Sequence, residues 1–280
     1  MKKSYIIAGP TASGKSDFAN ALARRVGGTI INADSVQLYK GIEILSSAPT
    51  SHSTLHTPHS LYSFLPLDQQ TTVAEYLEWA RREYDAANVP IFVGGSGMYI
   101  DALIRGISPV PPVTAENRMR ARKIVIETPA AARQLTDFEF TDTQRMMRAL
   151  EVFLETGRPI TEWQKLPRVG KLPGNPVKIL INPPTDILND RIRKRLDIMI
   201  ENGAIEEARA NINFPDRCIG IEELGKYING KITLAVALNN LAVRTSQYAK
   251  RQKTWFRNKF PADVVIPRVP ANTDIDNVLL

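Results

Sequence analysis

Short apolar runs alternate with helical spacings in the first part of the chain. The run Ser4–Ala8 predicts a strand, and an apolar stripe at helical spacing follows it: Phe18, Ala19, Leu22, Ala23 and Val26. Thr29–Asn32 and Ile91–Val93 predict two more strands, the second of them continuously apolar as in a parallel strand buried on both faces. The pattern predicts an α/β fold, with a parallel sheet and helices on both faces.

Between and beyond these strands the pattern changes. Ser46–Pro66 is rich in Ser, Thr, His and Pro and indicates a long functional loop, after which Thr72 and Glu75 form a capping box. Pro109, Pro111 and Pro112 mark a boundary, and residues 114–167 are helical in pattern, including Thr143–Thr156. Val177–Ile181 is strand-like again, and Thr185 then caps a helix to about Gly203. We predict a core of residues 1–112 and 176–280, with an inserted helical domain at 113–175.

A phosphate-binding loop joins the first predicted strand to the first helix. The motif G-x-x-x-x-G-K-[ST] is complete at Gly9, Pro10, Thr11, Ala12, Ser13, Gly14, Lys15 and Ser16. Backbone N–H groups of such a loop converge on phosphate oxygens, Lys15 neutralises the outer phosphates and the Ser16 hydroxyl holds Mg²⁺. The chain is therefore expected to bind a di- or triphosphate, such as ATP, as energy supply, phosphoryl donor or leaving group.

Two polar residues follow predicted strands at the edge of the sheet that carries this loop. Asp34 follows Thr29–Asn32, and Ser96 follows Ile91–Val93 within Gly94-Gly95-Ser96-Gly97. The second strand ends in glycines, where a P-loop kinase usually has a Mg²⁺-binding acid. From the motif alone, Asp34 is equally a metal ligand, a general base or an N-cap.

Composition and charge indicate a soluble, intracellular protein with a polyanionic partner. The chain is 43% hydrophobic and 23% charged, carries a net charge of +7, and has one cysteine, Cys218, which excludes an internal disulfide and suits the cytoplasm. No signal peptide or membrane helix is expected, and we expect a monomer. Cys218 is more plausible as a small packed residue than as a nucleophile, and no metal site is expected at His52, His56 and His59.

Cations concentrate at the inserted segment and along the C-terminal helix, predicted from Thr233 to about Lys259. The helix has an apolar stripe that ends at Trp255, which we expect in the core. Its other faces carry six cations and no acid, which favours a phosphate backbone as target: Arg244, Lys250, Arg251, Lys253, Arg257 and Lys259. Lys250 and Arg251 are candidate RNA contacts.

Seven segments together resemble the tRNA dimethylallyltransferase (tRNA isopentenyltransferase) family of bacterial type, over nearly the whole chain. They are GPTASGKS at 9–16, ADSVQLYKGIEI at 33–44, PHSL at 58–61, VGGSGMYIDALI at 93–104, QRMMRALEVFLETG at 144–157, DRIRKRL at 190–196 and YAKRQKTWFRN at 248–258. The resemblance implies transfer of a dimethylallyl group from dimethylallyl diphosphate to N6 of the adenosine 3′ of the tRNA anticodon (position 37). It implies that the P-loop holds the diphosphate leaving group with Mg²⁺.

The resemblance also implies roles for single residues. Asp34 would be the general base, and Ser96, where the family usually has threonine, would hydrogen-bond at the reacting centre. The implied tRNA contacts are Asp34, Ser35, Val36, Gln37, Ser96, Arg118, Gln144, Arg145, Met146, Met147, Arg148, Arg217 and Cys218. After Cys218 many members have Gly-Tyr-Arg-Gln, whereas this chain has Gly220-Ile221-Glu222-Glu223, so no role is carried over to Ile221 or Glu222.

Three other functions remain to be weighed. An adenylate isopentenyltransferase would use a free nucleotide and would need neither the basic insert nor the cationic helix. A small-molecule P-loop kinase would need the acid that Gly94 and Gly95 replace. A non-catalytic RNA-binding protein would keep RNA binding when Asp34 is replaced.

Overall fold

The computed structural model describes residues 2–49, 57–136, 142–271 and 273–279. Its centre is a six-stranded sheet in the order β3-β2-β4-β1-β5-β6, with every neighbouring pair parallel. The strands are β1 (Tyr5–Ala8), β2 (Thr29–Asn32), β3 (His59–Ser60), β4 (Pro90–Gly94), β5 (Val177–Ile181) and β6 (Val264–Ile266). The predicted parallel α/β fold is confirmed.

Thirteen helices are found among the described residues. The first four are α1 (Lys15–Val26), α2 (Glu43–Ser46), α3 (Val73–Ala86) and α4 (Gly97–Arg105). The next four are α5 (Ala115–Glu127), α6 (Pro129–Thr136), α7 (Thr143–Thr156) and α8 (Ile160–Gln164). The last five are α9 (Thr185–Glu201), α10 (Ala204–Ala210), α11 (Ile221–Ile228), α12 (Leu234–Lys259) and α13 (Thr273–Leu279). In the part of the chain that the structure describes, no helix is both long and apolar enough to cross a membrane.

Both faces of the sheet are buried, because successive side chains of a strand point to opposite faces. Tyr5 and Ile7 of β1 join a core cluster with Phe18 and Leu22 of α1. Ile6, between Tyr5 and Ile7, is also fully buried at 0% exposure. The sheet is therefore covered on both sides, and its polar chemistry is left to the loops at the strand ends.

The chain forms two compact units. One consists of Met1–Ile104 and Leu172–Leu280 and contains the sheet; the other, Arg105–Lys171, is the insert. The insert has its own small core, in which α5 and α7 pack through Ala121, Val125 and Leu150. The predicted boundaries, residues 113 and 175, lie slightly further along the chain than these.

The sequence signals for helix starts were right at α3 and α12 and wrong at α9, and the short strand β3 was not predicted. The capping box of Thr72 and Glu75 is present, and Thr233 caps α12. Thr185 is not a cap: it is the first residue of α9, and Pro184 precedes it without a side-chain hydrogen bond. The predicted loop at 46–66 contains β3, while residues 50–56 of it lie outside the described residues.

Candidate active site

The loop between β1 and α1 has the backbone of an anion cradle. Ala12 and Gly14 take positive φ angles of 62° and 90°, and α1 begins at Lys15 without a side-chain cap. The first N–H groups of a helix lack partners within the helix, so a capless start favours a bound anion. A Cβ on Gly9 would lie 2.5 Å from the Ile181 carbonyl oxygen. The end of β5 therefore packs so closely against the loop that only glycine fits at this position.

Polar groups beside this cradle lack partners of their own. The Ser13 hydroxyl and Nε of Arg195 on α9 are buried without a hydrogen-bond partner among the described residues. Such groups are costly unless something binds them. Arg191, one turn before Arg195, donates from Nε to the Ala12 carbonyl at 2.7 Å and holds α9 against the loop. The unsatisfied donors and the cationic surroundings fit an anionic ligand.

The Lys15 ammonium is influenced by one carboxylate and one guanidinium of the site, those of Asp34 and Arg195. It donates to the Pro10 carbonyl at 3.3 Å. Desolvation lowers the pKa of Lys15 from 10.5 to about 8; Asp34 opposes this shift and Arg195 adds to it. Lys15 is thus within electrostatic reach of Asp34, and the cradle and the end of β2 form one site.

Asp34 is held by the fully buried Asn32 at the end of β2. The Asn32 amide donates to the Asp34 carbonyl at 2.9 Å, and its oxygen accepts the Asp34 N–H at 2.7 Å. Tyr76 of α3 donates to the Asn32 carbonyl at 2.9 Å. Asp34 Oδ1 accepts the Val36 N–H at 3.1 Å, which leaves Oδ2 for a ligand. The N-cap reading of Asp34 is wrong, because no helix starts there.

The Ser96 side chain contacts Ser35, the residue after Asp34, because β4 and β2 approach closely. A Cβ on Gly94 would lie 2.0 Å from the Ala33 carbonyl oxygen, which explains the glycine that ends β4. The Ser96 hydroxyl oxygen accepts the Ser35 N–H at 2.8 Å and donates to the Ser35 hydroxyl at 3.1 Å. The sequence predicted that both strand ends meet here, and they do.

Gln252 of α12 hydrogen-bonds both to the phosphate loop and to the turn after β4. Its side-chain oxygen accepts the Thr11 N–H at 2.8 Å, and its amide donates to the Gly95 carbonyl at 2.9 Å. Gln252 is only 6% exposed, so this amide is a buried and satisfied brace.

A cavity of about 310 Å³ opens between these elements. Asp34 and Thr11 line it together, so it runs from the end of β2 to the phosphate loop. Polar and charged side chains on its wall include Ser35, Arg195, Arg217, Arg244, Thr245, Tyr248 and Arg251, and apolar ones include Leu45, Leu196, Met199 and Leu241. The cavity thus offers a carboxylate, cations and an apolar wall to one ligand.

Arg217 and Cys218 line this cavity next to each other. The Arg217 guanidinium donates to the Tyr39 hydroxyl at 3.1 Å and lies 4.9 Å from the centre of its ring. Cys218 is 7% exposed, and burial, with Glu207 and Asp34 adding, raises the pKa of its thiol to about 12. A thiol that stays protonated is a poor nucleophile, which supports the packed role over the nucleophilic one.

The segment where the family pattern is broken forms a charge network. Ile221 is fully buried, and Glu223 accepts the Gly220 N–H at 2.9 Å at the start of α11. Arg244 of α12 donates to both Glu222, at 2.6 Å, and Glu223. Arg244 is therefore neutralised locally and is not one of the unpaired cations that the sequence predicted on α12.

Other cations and Trp255 of α12 also differ from expectation. Lys253 donates to the Pro183 carbonyl at 2.5 Å, whereas Lys250 and Arg251 are exposed. Trp255 is half-buried, and the core position is taken by its neighbour Phe256, at 1% exposure. The predicted stripe is right at Leu241, Thr245 and Gln252, which are buried, and one residue off at Trp255, because both aromatic residues fit a helical repeat.

The remaining candidate contacts differ in exposure. Gln37 donates its amide to the Ser46 and Ser47 carbonyls, each at 2.9 Å. Within the insert, exposed candidates are Arg118, Gln144 and Arg145, and partly exposed ones are Met147 and Arg148. Met146 is 4% exposed and packs in the insert core, so it acts there as a core residue.

The histidines give no metal site that can be described. His59 hydrogen-bonds to the Thr57 carbonyl at 2.7 Å, and His52 and His56 lie outside the described residues. No group of three or more His, Cys, Asp or Glu able to hold a metal occurs among the residues that the structure describes.

Sequence reasoning missed three residues of the site: Arg195, Tyr248 and Gln252. From the sequence, no role follows for Arg195 in the segment 190–196, nor for Tyr248 and Gln252, which lie on the C-terminal helix with the predicted apolar stripe. The sequence signal for Tyr248 and Gln252 was a polar residue within an otherwise apolar helical stripe, because a buried amide or phenol needs a hydrogen-bond partner.

Comparisons with known proteins agree with one another. The model of the IPP transferase family matches residues 37–259, and that of the isopentenyl transferase family matches residues 2–64. The tRNA dimethylallyltransferase of Zymomonas mobilis subsp. mobilis is 37% identical over 91% of this chain and 87% of its own. That of Acidiphilium cryptum is 38% identical over 92% and 85%. The crystal structure of the tRNA isopentenylpyrophosphate transferase of Bacillus halodurans superposes with a TM-score of 0.71 at 28% identity, covering 99% of this chain and 94% of that one.

Proposed function

This chain belongs to the tRNA dimethylallyltransferase family, a family of prenyl transferases that act on tRNA, and on that premise we propose its reaction in detail. It transfers a dimethylallyl group from dimethylallyl diphosphate to N6 of adenosine 37, 3′ of the anticodon, and releases diphosphate. The single observation that carries this proposal is the cavity that Asp34 and Thr11 line together. The adenylate and kinase alternatives are not favoured.

The donor end of the reaction is assigned to the phosphate loop. Lys15 and Arg195 lie within electrostatic reach of each other, α1 starts without a side-chain cap, and the unpartnered Ser13 hydroxyl and Arg195 Nε support an anionic ligand there. These groups stabilise the negative charge that the departing diphosphate gathers.

The residues also fit Mg²⁺. The Ser16 hydroxyl is exposed on the first turn of α1, and Mg²⁺ usually takes only one or two protein oxygens besides phosphate oxygens and waters. Ser16 would hold the ion together with the diphosphate. When bound, Mg²⁺ neutralises charge on the leaving group.

The acceptor end is assigned to Asp34. An exocyclic amine is a weak nucleophile because its lone pair is delocalised into the ring, so a carboxylate that takes its proton makes the attack feasible. The free Oδ2 of Asp34 suits this role, and the cavity of about 310 Å³ suits a base turned out of its stack. The base of the target adenosine would turn out of the anticodon stem-loop and enter this cavity.

Binding of the rest of the anticodon stem-loop is assigned to two separate basic surfaces. On α12 these are Lys250 and Arg251. On the insert they are Arg118, together with Arg145 and Arg148, which also pair with Asp142 and Glu151. Each unit can contact phosphates by itself, since a phosphate backbone attracts any exposed cation.

Asp34→Asn tests the base assignment. With unmodified tRNA, dimethylallyl diphosphate and Mg²⁺, followed by nucleoside mass spectrometry, transfer should fall ~10²–10⁴-fold, while tRNA affinity in a filter-binding assay stays within about twofold. The matched control is Asp216→Asn, an exposed carboxylate on the wall of the same cavity, which should retain activity. Near-normal transfer by Asp34→Asn would exclude it as the base. Product formed on AMP in place of tRNA would favour the free-nucleotide reaction.

A further inference from the structure

A buried hydroxyl without a partner lies on the wall of the cavity. Thr245 of α12 is only 6% exposed, and it lines the cavity together with Asp34. A threonine within a helix often donates to the carbonyl four residues earlier, as Thr156 does to Val152 at 2.7 Å. The Thr245 hydroxyl makes no such bond to Leu241, nor any other hydrogen bond to a residue that the structure describes. Because a buried hydroxyl without a partner is costly, this one has bonding capacity that a ligand can use.

The position of Thr245 along α12 separates it from the phosphate loop. Gln252 on the same helix marks the end next to the loop, because its side-chain oxygen accepts the Thr11 N–H at 2.8 Å. Thr245 lies seven residues earlier, which is about 10 Å along a helix axis at 1.5 Å per residue. Seven residues are nearly two full turns, so both side chains lie on the same face of α12. Thr245 therefore belongs to a part of the cavity wall about two turns away from the loop.

Only one part of the two proposed substrates offers this hydroxyl a partner there. The diphosphate is assigned to the loop, and the dimethylallyl group has no atom that forms a hydrogen bond. Adenine has the N6 amino group, assigned to Asp34, and ring nitrogens that accept hydrogen bonds. A threonine hydroxyl has one proton to donate. The unused donor of Thr245 therefore matches the acceptors of a base turned into the cavity.

We propose that Thr245 is a specificity-determining residue of the acceptor site, whose hydroxyl donates a hydrogen bond to a ring nitrogen of the bound adenine. This inference rests on the proposed function and deepens it, because it names a group that holds the base while Asp34 takes its proton. Two contacts with one base fix its orientation. A base without the matching acceptor would leave the buried hydroxyl unpaired and would be used less well.

The test compares Thr245→Val with the wild type on synthetic anticodon stem-loops. Valine has nearly the shape of threonine and lacks the hydroxyl. With adenosine at the target position, dimethylallyl diphosphate and Mg²⁺, kcat/KM for the stem-loop should fall ~5–10-fold, as expected for loss of one neutral hydrogen bond. Thr245→Ser, which keeps the hydroxyl, should restore most of the activity. Ser246→Ala removes the hydroxyl of the next residue, which does not line the cavity, and should behave as wild type.

A second set of stem-loops identifies the acceptor atom. They carry 1-deaza-, 3-deaza- or 7-deazaadenosine at the target position, and each analogue replaces one ring nitrogen by a C–H group. On one of the three, the wild type should lose about as much kcat/KM as Thr245→Val loses on adenosine. On that same analogue Thr245→Val should lose nothing further, because the two changes remove the same hydrogen bond.

Several outcomes would overturn the proposal. An undiminished effect of Thr245→Val on all three analogues would show that the hydroxyl does not bind a ring nitrogen. An effect that disappears only with 2′-deoxyadenosine would assign the hydroxyl to the ribose, and a raised KM for dimethylallyl diphosphate alone would assign it to the donor. Wild-type kinetics in Thr245→Val would leave the hydroxyl no role.

The thermal midpoint of the ligand-free protein is the structural control. Replacing an unpartnered hydroxyl by an apolar group of the same shape should leave the midpoint of Thr245→Val unchanged or raise it. A lowered midpoint would show that the hydroxyl bonds within the protein, which contradicts the proposal. If the wild-type chain transfers nothing to tRNA, the proposed function itself fails, which is a separate result.

Discussion

The pKa of Lys15 makes diphosphate binding depend on pH in a way that can be calculated. In the ligand-free site this pKa lies at about 8, lowered from 10.5 mainly by desolvation. Only the ammonium form attracts the anion, and a bound diphosphate returns the pKa toward its ordinary value. The affinity should therefore be flat below pH 8 and fall up to tenfold per pH unit above it, about thirtyfold by pH 9.5.

The assay is isothermal titration calorimetry with dimethylallyl diphosphate and Mg²⁺ between pH 6.5 and 9.5. The diphosphate gains no further charge over the upper part of this range, because the second ionisation of a phosphate group lies near pH 6. Lys15→Gln should bind more weakly at pH 7 and should lose the dependence above pH 8. A flat wild-type profile, or the same slope in Lys15→Gln, would refute the assignment of Lys15 to the anion.

Three further predictions follow from side chains outside the phosphate loop. Lys250→Ala/Arg251→Ala should raise KM for tRNA and reduce the slope of log affinity against log salt by roughly 1.5–2; an unaltered slope would remove these cations from the RNA contact. Glu223→Gln should lower the urea-derived free energy of unfolding by ~1–3 kcal/mol, because Glu223 is buried and binds Arg244 and Gly220, whereas the more exposed Glu222→Gln should cost less than about 1 kcal/mol. Iodoacetamide at pH 8 should leave Cys218 unmodified in the folded protein and alkylate it in urea, because burial raises its pKa to about 12; rapid alkylation of the native protein would contradict this.

The sequence predicted the parts of the site that are local in the chain. The phosphate loop, Asp34 and Ser96 each follow a strand, and parallel strands bring such positions to one edge of the sheet. It did not predict Arg195 or Gln252, because they reach the site through packing of α9 and α12 against the sheet, and an isolated helix pattern does not show which element it packs on. The two-residue β3 and three-residue β6 were missed because runs this short have no measurable period.

The brace made by Gln252 has a mechanical consequence. One planar amide is bonded to the backbone on both sides of the proposed catalytic centre, at Thr11 and at Gly95. The loop proposed to hold diphosphate and the turn that carries Ser96 are therefore linked by a single side chain, in addition to the pairing of β1 with β4. Shortening that side chain would loosen the link between the two proposed substrate positions while leaving the strands paired.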